Sequence, residues 1–271
     1  QKDQTNCKKV RNFINENINW DVEIHYLYRD KNLGCGKAVS EAISWFFSHV
    51  EQGIILEDDC LPSPSFFKFC SQLLNRFKHD ERIISINGFN FGMELENSNS
   101  YVFSKYMTIW GWATWRRSAD RVDYEMQPWK KLKFKKLFLH KKMNNYFNLD
   151  YKWVLYWHKL FDNTSNGKIN TWDYQWLFSQ RQTNTYAIIP ATNLIKNIGF
   201  GKDATHTKDS EHKLSKIEYK TIKFPLVHNT KISNSQLYEK QYLKKIGYNY
   251  TYEPILSLIF KIVLLKVKKI F

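Results

Sequence analysis

Gly53-Ile54-Ile55-Leu56 runs without a break into Glu57-Asp58-Asp59. A short apolar run bounded by polar residues predicts a buried strand. Three carboxylates at its end stand where open α/β sheets bind ligands. Bunched carboxylates repel one another unless a cation or a set of donors holds them. A divalent metal carrying a nucleoside diphosphate meets that need, because hard cations take carboxylate and phosphate oxygens alike. The plainer reading is a solvated acidic turn. With 26 acids in 271 residues, roughly 0.2 such triplets per chain arise by chance, so the triplet needs support from its surroundings.

Upstream, Val22, Ile24, Tyr26 and Tyr28 alternate with polar residues and predict a strand after a polar, Lys- and Asn-rich lead-in. The segment Arg29 to Lys37 holds two glycines and three cations and predicts a loop; Ala38 to Val50 then reads as a helix. Downstream, Ser63 as N-cap and Pro64 at the first helical position open a helix to about Phe77. Arg82 to Ile86 predicts a further strand. This alternation argues an α/β sheet. After Gly88 the pattern loosens into the aromatic stretch Trp110-Gly111-Trp112-Ala113-Thr114-Trp115. Residues 128–160 read as helical, Thr171 to Trp176 opens a helix, and Thr185 to Ile189 is a strand ended by Pro190.

Length and apolar content support one domain or one and a half. Cys7, Cys35, Cys60 and Cys70 show no metal-ligand spacing, and a chain this long does not need disulfides, so reduced thiols are expected. Charge is uneven. Residues 1–120 carry 14 Lys and Arg against 15 acids, whereas residues 121–271 carry 27 against 11. The basic half suits an anionic lipid or glycan surface. No nucleic-acid-binding motif accompanies it, so nucleic acid is not an expected partner.

Five blocks, in order, resemble the nucleotide-sugar glycosyltransferases of the GT-A fold. They are Arg29 to Val39, Gly53 to Pro62, Trp110 to Trp115, Thr171 to Trp176, and Pro190 through His206. The chain is most similar to a bacterial group often labelled glycosyltransferase family 2-like or hemolytic-protein-like. A more distant similarity is to animal N-acetylglucosaminyltransferases of type I. The resemblance covers residues 25–207. It implies a mixed central sheet flanked by helices, with the family's first strand and its Ser/Asp-Gly-Pro segment lying before Gln1. It also implies a GT-A domain over residues 1–207, with a nucleotide-binding half (1–120) and an acceptor half (121–207). A C-terminal extension would cover 208–271.

The site residues follow from that resemblance together with their chemistry. Asp59 is the implied ligand of Mn²⁺ or Mg²⁺, with Glu57 and Asp58 on the ribose or metal-bound waters. Arg29, Asn32, Gly34 and Lys37 fit the nucleotide, since glycines admit a close ligand and cations attract phosphates; a basic turn leading into a helix is the structural alternative. Asp173 is the expected general base of an inverting transfer, and an N-cap aspartate is its alternative. Trp110, Trp112 and Trp172 are candidates to stack on sugar, with Trp115 assigned to the core. His206 is a candidate metal or diphosphate ligand.

In the tail, Leu256, Ile259, Phe260, Val263, Val267 and Ile270 share one helical face, with Lys261, Lys266, Lys268 and Lys269 outside it. This predicts a basic amphipathic helix over 255–271 that lies on an anionic leaflet or docks on the protein itself. The expectation is therefore a metal-dependent glycosyltransferase, cytoplasmic and peripheral at the inner face of the cell membrane. It would move a sugar from a nucleotide donor, such as a UDP-sugar, to a glycan or lipid-linked glycan. The competing readings are a membrane-binding, hemolysin-like protein and a catalytically inactive carbohydrate-binding module on the same fold.

Overall fold

The computed structural model describes residues 2–93, 95, 99–143, 151–200 and 213–246. The predicted tail helix over 255–271 and His206 lie outside them. The chain divides into two compact units, Gln1–Asn32 and Leu33–Phe271.

The first unit opens with helix α1 (Lys2–Asn17), where the sequence suggested only a polar lead-in. Arg11 ties the helix to the stretch that follows. Its guanidinium donates to the Arg29 carbonyl at 3.2 Å and lies 4.3 Å from the Tyr28 ring centroid. The strand predicted over Val22–Tyr28 does not form. Val22, Ile24, Tyr26 and Tyr28 are all exposed, and among the described residues no ladder pairs with them. Alternation allows side chains to take opposite faces, but a strand also needs a neighbour for its N–H and C=O groups.

The second unit begins with α2 (Cys35–His49), β1 (Gln52–Ile55), β2 (Cys60–Pro62), α3 (Pro64–Arg76), β3 (Ile83–Asn87), β4 (Tyr101–Ser104) and β5 (Trp112–Trp115). Short helices α4 (Arg116–Ala119) and α5 (Gln127–Lys131) lead to α6 (Lys135–Met143), α7 (Tyr151–Ser165) and α8 (Asp173–Thr183). Then come β6 (Tyr186–Pro190), β7 (Ile195–Asn197), a 3₁₀ turn at Lys213–Lys216 and α9 (Gln236–Lys245). The result is an α/β protein. Its main sheet has the order β1-β5-β3-β6-β4, with β3 and β6 parallel and the other pairs antiparallel. A separate ribbon pairs β2 with β7.

Helices cover both faces of the sheet. On one face Phe66, Phe69, Leu73 and Leu74 of α3 meet Ile83, Ile86, Phe103, Ala113 and Ile188. Those α3 positions recur at the spacing of one helical stripe, and Ser63 caps the helix by accepting from the Ser65 N–H at 3.3 Å. Each of these side chains, fully buried, contributes roughly 1.5–3 kcal/mol. On the other face Trp129, Trp153, Trp157, Phe161 and Trp176 from α5, α7 and α8 pack on Ile84, Val102, Trp112 and Ile189. The segment 128–160, expected as helix, is interrupted between α5 and α6, at Leu132 to Phe134. Residues 213–246 join the same body: the Ser235 N–H donates to the Phe103 carbonyl at 2.8 Å, and Glu239 of α9 accepts from the Lys105 N–H at 2.6 Å.

The strand carrying the acidic triplet is not central. β1 is an edge strand, half-buried along its length. One of its faces rests on α2, where a side chain at Gly53 would overlap the Phe46 ring. Four apolar residues in a row thus mark a strand, but not its place in the sheet.

Candidate active site

β1 ends at Ile55, and the chain turns through Glu57-Asp58-Asp59, closed by the Cys60 N–H donating to the Glu57 carbonyl at 3.0 Å. The turn feeds straight into β2. Pairing of Cys60 with Asn197 brings β7 alongside, and the Ile198 N–H donates to the Asp59 carbonyl at 2.8 Å. The backbone at Gly199 then passes so close to Asp59 that a side chain there would overlap its Oδ2. Asp59 is half-buried against this wall, while Asp58 is exposed. The Cys60 thiol donates to Asp59 Oδ1 at 3.4 Å.

The second half of the site arrives from α8. Asp173 is its first residue, and Trp172 holds the N-cap position without a side-chain cap. Asp173 Oδ1 accepts from the Tyr174 N–H at 2.9 Å and from the Thr171 hydroxyl. The segment before it is clasped to α2. Asn170 Oδ1 accepts from the Gly36 N–H at 2.9 Å, and Asn170 Nδ2 lies 2.5 Å from where a Cβ on Gly34 would stand. Gly34 itself has φ +76°, a backbone that favours glycine. Sequence reasoning missed Asn170. Nothing in its type or spacing singles it out, and its significance comes only from meeting a segment 134 residues away.

This clasp brings two acidic segments within each other's field. The Glu57 carboxyl is pushed up to about 7, by burial first and then by the charges of Asp59, Asp173 and Asp58. The Cys35 thiol is also raised, by burial and then by Glu57 and Asp173. Tyr174 is pushed up to about 12 by burial, then by Asp173 and Tyr156. Burial is the largest cause of all three shifts, and the neighbouring carboxylates add to it.

Such carboxylates could serve a divalent cation only as part of its shell. Among the described residues no three His, Cys, Asp or Glu side chains form a ready cage. Mg²⁺-type ions, however, take one or two carboxylates and complete their shell with substrate phosphates and water. Asp59, half-buried against the β7 wall, with Glu57 and Asp58 beside it, offers hard oxygen ligands for that mode.

The tryptophans sort by strand alternation. In β5, Ala113 and Trp115 point to the α3 side, and Trp115 is buried with its Nε1–H donating to the Leu74 carbonyl at 3.1 Å. Trp112 points to the other side, stacked on Trp172 at 5.9 Å and edge-on to Trp176 at 4.7 Å. Trp112 and Trp172 are 0 % and 1 % exposed. The expectation that they present a ring to sugar is therefore corrected: their faces are spent on each other and on the core. Trp110 remains. It is half-buried, 4.6 Å from Phe89 and edge-on to Phe200 at 5.9 Å, next to the Ile198-Gly199 wall.

The remaining candidates are placed as follows. Lys37 is exposed on the first turn of α2 and pairs with Glu41 at 3.7 Å. Arg29 and Asn32 belong to the first unit. All four cysteines are free thiols. No model of a known protein family matches this chain, and no curated protein matches it either.

Proposed function

We propose that the chain is a metal-dependent glycosyltransferase of GT-A type that transfers a sugar, with inversion, from a nucleotide-sugar donor to a glycan or lipid-linked glycan. The observation that carries this reading is the clasp between the start of α2 and the segment leading to Asp173, which sets Cys35 within the charge of both Asp173 and Glu57, more than a hundred residues apart in sequence. A solvated acidic turn has no reason to recruit a fourth carboxylate from the start of a distant helix. Direct displacement at a sugar's anomeric carbon asks for such a pair: one acidic group to hold the cation of the leaving diphosphate, one to accept a proton.

In this reading Asp59 would hold Mn²⁺ or Mg²⁺, which would supply positive charge for the leaving nucleoside diphosphate. Asp173 takes the proton of the acceptor hydroxyl as its oxygen bonds to the anomeric carbon and the bond to the diphosphate breaks. Thr171 and the Tyr174 N–H orient the Asp173 carboxylate for that role. Trp110 supplies the aromatic wall, and Lys37, exposed on the first turn of α2, serves the nucleotide.

The test is Asp173→Asn. Asparagine keeps the size of the side chain and an oxygen to accept from Tyr174 and Thr171, but it cannot take a proton. Release of nucleoside diphosphate from donor and acceptor should fall by roughly 10²–10⁴, with the melting temperature close to wild type. Undiminished turnover in this variant would reduce Asp173 to a helix-start residue.

A further inference from the structure

The strongest surface feature away from the carboxylates is the α5–α6 corner. Between Lys130 and Lys142 the chain carries seven lysines and no acid. Lys135 is used internally, donating to Asp162 at 2.8 Å, and Lys130 faces Glu125 at 3.7 Å. Lys131 and Lys133 stand exposed. Among them two large apolar side chains also face outward: Phe134 is 65 % exposed and Leu137 43 %. They are three residues apart on one helical turn, closed by the Phe138 N–H donating to the Phe134 carbonyl at 2.9 Å. The next two residues turn the other way, with Leu139 fully buried and Phe138 packed on Trp129 and Phe178. The helix thus has its core face filled and still shows a second apolar pair to solvent.

We propose that this corner docks the protein onto an anionic lipid bilayer, with Phe134 and Leu137 entering the headgroup boundary and Lys131 and Lys133 resting on acidic headgroups. A soluble polyanion would satisfy the lysines and leave the phenyl and isobutyl groups in water. A bilayer interface accepts both, because lysine stems lie along apolar surface while their ammonium groups reach the phosphates. The mode is peripheral: among the described residues no helix is long and apolar enough to cross a membrane. The inference stands whether or not the transfer reading does.

Sedimentation of the full chain with phosphatidylcholine vesicles, with and without phosphatidylserine, tests it. Wild type should bind the phosphatidylserine vesicles, release as salt rises, and bind neutral vesicles weakly. Lys131→Ala/Lys133→Ala should weaken binding by roughly tenfold or more. Phe134→Ser/Leu137→Ser should weaken it comparably at low salt. Both pairs are exposed, so melting temperatures should hold, and Lys8→Ala/Lys9→Ala serves as a charge-matched control. Unchanged binding in both double variants overturns the proposal and moves the contact elsewhere on the chain. Loss in the lysine variant alone also overturns it, in favour of a purely electrostatic surface for a soluble polyanion. Equal binding to neutral vesicles overturns the role of headgroup charge.

Discussion

Asp59 lies between its own β-turn and the backbone of Ile198-Gly199, so its carboxylate is held without any basic side chain paired to it among the described ion pairs. Removing it should therefore not cost stability in the unliganded protein, since the charge it sets beside the half-buried Glu57 disappears. Its loss should appear only with ligands. Mn²⁺ and uridine diphosphate added together should raise the melting temperature of the wild type by more than their separate effects combined, because each completes the other's coordination. In Asp59→Ala that excess should vanish. Thermal scans with each ligand alone and with both decide it, and an intact excess in the variant would take Asp59 out of the metal's shell. At this scale the sequence was informative where chemistry is local. Three acids in a row and a Trp-Asp pair can be seen without coordinates. Whether a given tryptophan is a wall or a core residue depends on which side of β5 it falls, and Trp112 and Trp115 look alike on paper.

The elements were legible where one helix or strand carries its own signals. Ser63-Pro64 announced α3 to the residue, and Gly53 to Leu56 announced β1 to within one. β2, β4, β5 and β7 were not recognised, because their side chains are buried on both faces or the strands are too short to show alternation. The start of α2 shows the same limit. Its two glycines were read as room for a ligand, yet both lie against Asn170. This contact makes a prediction about coupling. Gly34→Ala should destabilise by roughly 1–3 kcal/mol, from the left-handed backbone and from the overlap with Asn170. Asn170→Ala in the same chain removes the overlap but not the backbone strain. The double variant should therefore lose less stability than the two single changes added together, by about 0.5 kcal/mol or more. Denaturant melts of the four proteins measure it; strict additivity would mean the clasp does not exist in solution.

Across the whole molecule, Asp162 joins three helices: it accepts from Trp129 Nε1 at 2.9 Å and Lys135 Nζ at 2.8 Å, and lies 3.4 Å from His158. Burial opposes its ionisation, but the bonds from Lys135 and Trp129 and the charge of His158 outweigh it and hold its carboxyl below the usual range. A depressed carboxylate stabilises the fold above its unfolded pKa of ~4, and that stabilisation is lost as pH falls through the folded value. Asp162→Asn should accordingly cost about 1–3 kcal/mol at neutral pH. The gap to wild type should close below the ordinary carboxylate range. Stability curves of both proteins from neutral to acid pH check the sign; a gap that widened in acid would contradict it.

The parallel pairing of β3 with β6 also bears on how the chain comes to be folded. It joins residues 83–87 to 186–190 through the middle of the sheet, so no earlier stretch can supply that partner. During synthesis, β1, β3 and β5 can associate while the inner edge of β3 still waits, bare, for a strand about a hundred residues behind it. Such an open edge invites pairing with other chains. Asp173 emerges only thirteen residues ahead of β6. The acidic turn therefore waits for more than a hundred residues of synthesis before Asp173 exists, and over that interval a nascent chain carries the triplet without its distant partner.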